Sequence, residues 1–189
     1  MNENNCIVCE KPKYISFNEI IKNELKNQVT IDELINDSYC VVFPLDYTSE
    51  YEIDEEMLDT NDLLSSIKGK TGVYHLWIDE DYCVDHSTRK MLCVYAGKGV
   101  VDKRVKSHIK EKWTEVDERL ILTFYECENR IAKYIEQLFL DLYSFHLNSE
   151  ENKGKEYLKT IWDEERYING SDIMGQSIKL TKKYPERFQ

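Results

Sequence analysis

The chain has 189 residues, of which 41% are hydrophobic and 32% charged, and a formal net charge of −11. These values describe a folded chain with material for one well-packed domain, or a small domain with an appendage, and not a disordered one. No apolar run approaches the roughly 18 residues of a membrane span, and the start MNENNCIVCE has neither the basic head nor the apolar core of a signal peptide. The six cysteines are therefore read as reduced thiols in a cytoplasmic protein without a membrane partner.

In chain order, Ser16 with Glu19 and Thr30 with Glu33 fit capping boxes and predict two short helices. Tyr39–Phe43 is rich in β-formers and predicts a strand stopped by Pro44. Residues 46–62 carry eight carboxylates and read as an acidic arm, followed by a short helix at 61–67. From Gly72 the pattern turns to β: strands at 73–78 and 91–95 flank a polar connection, 79–90, with Gly97 and Gly99 breaking the second strand. A helix over 101–112, a strand over 120–125 and a long helix capped by Asn129 follow. A further helix is predicted at 154–163, ahead of the basic tail KLTKKYPERFQ. The expected fold class is α+β, a small three-stranded antiparallel sheet flanked by helices. The expected organisation is an acidic region at 1–68, a core at 69–152 and a C-terminal extension at 153–189.

The charge is unevenly divided. Residues 1–68 hold 15 Asp/Glu against 5 Lys/Arg, which accounts for nearly all of the excess. Within 95–113 the balance reverses, with Lys98, Lys103, Arg104, Lys106, Lys110 and Lys112 against Asp102 and Glu111. A basic stretch of this kind can attract phosphates even on an acidic protein.

Five elements in this region are spaced like one active site: Gly72-Val73-Tyr74, Tyr95-Ala96-Gly97 with Lys98, Arg104 with His108 one turn later, Glu136, and Asn148. Together they resemble the GIY-YIG nuclease family over about residues 72–152. The tripeptides depart from the family pattern in having Val and Ala for its isoleucines, and Tyr74 and Tyr95 are 21 residues apart, about twice the usual spacing. A hairpin insertion at 79–90 would accommodate the extra length.

The resemblance implies a metal-dependent endonuclease that hydrolyses phosphodiester bonds in DNA with one nick per active site, acting as a monomer or homodimer. It implies Glu136 as ligand of Mg²⁺, for which Mn²⁺ can substitute; a single carboxylate suits an ion that keeps much of its hydration shell. It implies Tyr74 in the activation of water and Tyr95 in orienting water or phosphate. Arg104 and Lys98 would meet the phosphate, Arg104 through a fixed fork of donors. His108 shares a helix face with Arg104 and would lie near the reactive water. Lys103, Lys106, Lys110 and Asn148 complete the substrate-binding set, with Asn152 as a competitor for the place of Asn148. Two alternatives stay open: a catalytically inactive binding module that holds a protein partner through the acidic N-terminal region, and an RNA-cleaving enzyme on the same fold. Cys6-x-x-Cys9 supplies half of a zinc-ligand spacing, but no second pair follows at an appropriate distance; Cys40, Cys83, Cys93 and Cys127 are scattered and read as small apolar groups, so no structural zinc is expected.

Overall fold

The computed structural model describes residues 6, 8–25, 29–36, 39–42, 64–111, 121–148 and 152–169. The acidic arm at 46–62 and the basic tail therefore lie outside the described residues. The chain is α+β, and its main sheet has five strands among the described residues, not three.

Two strands of 13 residues, β2 (Thr71–Cys83) and β3 (Thr88–Val100), form one long antiparallel hairpin. The expected polar insertion at 79–90 is thus mostly strand, because both chains continue pairing out to Cys83 and Thr88. Bulges between Leu76 and Trp77, and between Asp79 and Asp81, absorb the irregular register. Strand β4 (Ile121–Glu126) pairs with the other edge of β2, with Tyr74 opposite Phe124. These three antiparallel strands are the ones expected. β1 (Tyr39–Val42) extends the sheet beyond β4, and β7 (Lys159–Asp163) extends it beyond β3. Residues from the N-terminal and C-terminal regions therefore share the sheet of the central one. The helix predicted at 154–163 is instead strand, and a helix begins only at Glu164. Thr160 and Trp162 are buried while Lys159 and Ile161 are partly exposed and Asp163 is exposed, the two-residue alternation of a sheet edge with one covered face. A separate parallel pair, β5 (Tyr143–Ser144) and β6 (Glu156–Tyr157), follows the long helix.

Alternation along β2 sorts side chains to two cores. Val73 and Trp77 join one core with α1 (Ile15–Glu24), α2 (Ile31–Ile35) and α4 (Asn129–Leu142), where Phe17 meets Phe139 at 4.5 Å between ring centroids. Tyr74 and Leu76 join the other, with Tyr95, Phe124, and Val101 and Val105 of α3 (Val101–Glu111). The Thr30–Glu33 capping box is formed as read, whereas α1 starts at Ile15, so Ser16 lies inside its first turn and caps nothing. Asn129 is the first residue of α4 and makes no side-chain cap. Helix α5 (Glu164–Asn169) closes the described chain. No helix among the described residues is long and apolar enough to cross a membrane.

Candidate active site

Tyr74 and Tyr95 reach one another diagonally across the hairpin. Tyr74 is opposite Gly97 and Tyr95 is opposite Leu76, yet their rings stack at 5.9 Å between centroids. Gly97 permits this. A Cβ at that position would lie 2.7 Å from Tyr74 Cζ and Oη and 2.7 Å from Tyr95 Cε1, closer than carbon atoms tolerate. Gly97 therefore does not break the strand, which continues to Val100. Gly72 has a similar reason: a Cβ there would overlap the Tyr125 carbonyl on β4. Gly99, at φ 120, does need glycine's conformational freedom, and it turns the chain from β3 toward α3.

Helix α3 brings His108 onto the two phenols. His108 Nε2 stands 3.1 Å from Tyr74 Oη and 3.1 Å from Tyr95 Oη, and all three residues are buried. The helix start is fixed by Asp102, whose buried carboxylate accepts from Gly69 N at 2.9 Å, and by Val101 N donating to Lys70 O at 3.0 Å. Asp102 was missed in the sequence, where it counted only as a negative charge; an aspartate in a first helical turn was the available signal.

Burial pushes the Tyr74 hydroxyl well above its ordinary value, as does the neighbouring Tyr95 phenol, while the Arg104 guanidinium acts in the opposite direction. Burial also raises the Tyr95 hydroxyl; Tyr74, Arg104 and Lys98 pull it down and Glu136 pushes it up. Tyr95 is thus the group that senses all three charged members of the expected site. Arg104 itself is exposed on α3.

Glu136 projects from α4 and pairs with Lys98, from the end of β3, at 2.7 Å. Their side chains keep only 19% and 30% exposure, so the pair is largely withdrawn from solvent. The expected site residues form two groups: Tyr74, Tyr95 and His108 on the α3 side, and Glu136 with Lys98 from the α4 side. A single, partly buried carboxylate fits an ion retaining most of its water shell, which would share that carboxylate with its present partner, Lys98 Nζ.

Asn148 uses both ends of its amide on one residue. Its Oδ1 accepts from Ala96 N at 3.0 Å, and its Nδ2 donates to Ala96 O at 2.9 Å. The middle residue of the second tripeptide is thereby held to the segment after α4. Asn152, the competing candidate, makes the same pair of bonds to the backbone of Phe145 and supports the turn that carries Asn148. Lys103 is exposed and Lys106 partly exposed on α3, while the side chain of Lys110 lies outside the described residues.

One concentration of ligating atoms escaped the sequence reading. Cys6 and Cys9 meet Cys83 and His86 at the far end of the β2–β3 hairpin, with all four ligand atoms within 4.8 Å of one another. The missed signal was Cys83-x-x-His86, a mixed pair at the same spacing as Cys6-x-x-Cys9. Comparison of the chain with protein-family models, curated proteins and solved structures returns no match.

Proposed function

We propose that this chain is a GIY-YIG-type endonuclease that hydrolyses phosphodiester bonds in DNA. The observation carrying this reading is the convergence of two buried tyrosine hydroxyls on one imidazole nitrogen, each at 3.1 Å. Structural tyrosines need no such arrangement. A base that must act at neutral pH gains from having its proton acceptor built in.

In this reading the resting Tyr74 is a neutral phenol, held so by burial. His108 Nε2 accepts the phenolic proton as the Tyr74 oxygen takes one from the attacking water. The water oxygen forms a bond to phosphorus, the bond from phosphorus to the leaving deoxyribose oxygen breaks, and that oxygen takes a proton from solvent. Tyr95, sharing the same nitrogen, orients the water. Arg104, exposed on α3, offers its fixed fork of donors to the phosphate and stabilises charge that grows on the phosphate oxygens. Glu136 is the residue that would hold Mg²⁺, or Mn²⁺ in its place; when bound, such an ion supplies Lewis-acid stabilisation of the phosphate and leaving oxygen. Lys98, which shares the Glu136 carboxylate, then turns its charge to the substrate. The basic face of α3, with Lys103 and Lys106, tracks flanking phosphates.

The test is incubation of the purified protein with supercoiled plasmid in the presence of Mg²⁺ or Mn²⁺, and with chelator. Metal-dependent nicking by the native protein, absent from Glu136→Gln, supports the reading. A folded native protein that leaves plasmid intact under all conditions returns the chain to the alternative of an inactive module that holds a protein partner. Cleavage of a matched RNA in place of DNA reassigns the substrate.

A further inference from the structure

We infer that Cys6, Cys9, Cys83 and His86 form a closed structural zinc site that fastens the N-terminal segment to the tip of the β2–β3 hairpin. The four residues come from two tight turns. Cys9 N donates to Cys6 O at 3.2 Å, which folds the first Cys-x-x-Cys so that both thiols face one way. The second turn joins β2 to β3, beginning where β2 ends at Cys83 and containing His86, with Ser87 at a positive φ of 50. Two such turns facing each other are how small proteins assemble a tetrahedral centre.

Three of the separations come within a few tenths of an ångström of that geometry, and all four ligand atoms lie within 4.8 Å of one another, a spread that a bound ion would draw in. Cys6 Sγ lies 3.6 Å from Cys83 Sγ, and His86 Nδ1 lies 3.3 Å from both Cys9 Sγ and Cys83 Sγ. Ligands at about 2.3 Å for sulfur and about 2.0–2.1 Å for nitrogen around one zinc stand roughly 3.5–3.8 Å apart. Three thiolates and an imidazole select a borderline-soft ion and are unsuited to Mg²⁺. With all four positions supplied by the chain, no place is left for substrate, so the role is structural.

The ordinary alternative is a group of thiols that hydrogen-bond one another. Thiols are weak donors and acceptors, and such bonds offer little reason for four ligating groups from segments 77 residues apart to converge on one point. Cys93 shows the contrast: it is wholly buried, with its thiol donating to Tyr95 O at 3.3 Å, and it belongs to no group of three or more ligating side chains among the described residues. The site is also remote from the tyrosines. Cys83 is nine residues beyond Tyr74 on the same strand, on the order of 30 Å at about 3.3 Å per residue. Its metal is therefore distinct from any ion at Glu136, and the inference stands without the nuclease reading.

The full chain, purified under reducing conditions without chelator, should carry one zinc by elemental analysis. Exchange for cobalt(II) should give tetrahedral d–d bands and thiolate-to-cobalt charge transfer. Cys83→Ser and the Cys6→Ser/Cys9→Ser pair should lose the metal, whereas Cys127→Ser and Glu136→Gln should keep it. Reduced, folded native protein that neither holds zinc nor yields the cobalt spectrum overturns the inference. So does full metal occupancy in the folded Cys83→Ser protein, or a disulfide between any two of the three cysteines. Should Cys83→Ser fail to fold, the native cobalt spectrum and its stoichiometry decide alone.

Discussion

The ring of Tyr74 crosses the backbone of Gly97 in the space that any side chain at position 97 would fill, with its Cζ and Oη 2.7 Å from the place of a Cβ. The glycine of the second tripeptide is thus a steric requirement of the tyrosine in the first. Gly97→Ala should destabilise the fold by about 1–3 kcal/mol, the usual cost of overpacking. It should also lower cleavage on the order of a hundredfold by displacing both phenols from His108. Chemical denaturation and single-turnover kinetics measure the two effects separately. A Gly97→Ala protein of native stability and rate would show that the ring has room to move.

Tyr74 and His108 should behave as one unit. Tyr74→Phe removes a hydroxyl from a packed ring, and cleavage should fall by about 10²–10⁴, the range for losing a general acid–base group. His108→Gln should cost a similar factor, and the double variant little more than the worse single one, because either change disables the same proton transfer. Since burial holds Tyr74 neutral and its proton passes to His108, the native rate should fall where the imidazole is already protonated and stay level through the alkaline range. Tyr74→Phe, with no proton to pass, should lose that acid limb. Additive losses in the double variant, with unaltered pH profiles, would leave Tyr74 and His108 as independent packing residues.

The Glu136–Lys98 pair separates catalysis from stability. A half-buried ion pair lies between the surface case of about 1 kcal/mol and the buried case of about 3–5 kcal/mol for loss of one partner. Glu136→Gln should therefore lose up to a few kcal/mol of stability yet stay folded and still bind DNA. Metal-dependent nicking should disappear with the charge that holds the cation. If Glu136→Gln cleaves at the native rate, the cation is held elsewhere or is not needed.

What the sequence revealed and what it hid follow from the range of the signals. The β2, β3 and β4 strands were legible because Val, Tyr, Ile and Phe alternate within a few residues, and α4 because its apolar stripe repeats over fourteen. The grouping of Tyr74, Tyr95 and His108 was an expectation of the resemblance carried by the two tripeptides, since periodicity alone does not single out two of thirteen tyrosines. Strand β7 was misread as helix because Tyr157, Leu158, Ile161 and Trp162 also fit helical spacing, and only its pairing with Thr88–Leu92 decides the matter. Tertiary partners likewise hid the Cys/His cluster: Cys6 and Cys83 are distant in sequence, and the pair Cys83-x-x-His86 went unnoticed because its cysteine was read as a small apolar group. Gly97 was legible as a motif residue but not as the floor beneath Tyr74, which depends on the diagonal register.

His75 gives a prediction on stability that is independent of catalysis. It follows Tyr74 but faces the opposite core, with its ring edge-on to Phe139 at 4.5 Å and tilted against Trp77 at 6.0 Å. Both ring nitrogens are buried without a hydrogen-bond partner among the described residues. Burial pushes its pKa down to about 3 from an ordinary 6.5. The sign follows from which state binds the proton. Above 6.5 both folded and unfolded chains hold a neutral imidazole, and the contribution to stability is fully present. As pH falls through 6.5 the unfolded chain takes up a proton that the folded chain refuses until about 3. Stability should therefore decline across that window, by up to about 1.4 kcal/mol per pH unit from this residue. His75→Phe removes the titration while keeping an aromatic ring. Its denaturation free energy should fall less steeply than that of the native protein between pH 6.5 and the acid limit, whatever the substitution costs at neutral pH. Parallel curves for the two proteins would mean that the folded protein solvates His75 well enough to charge it.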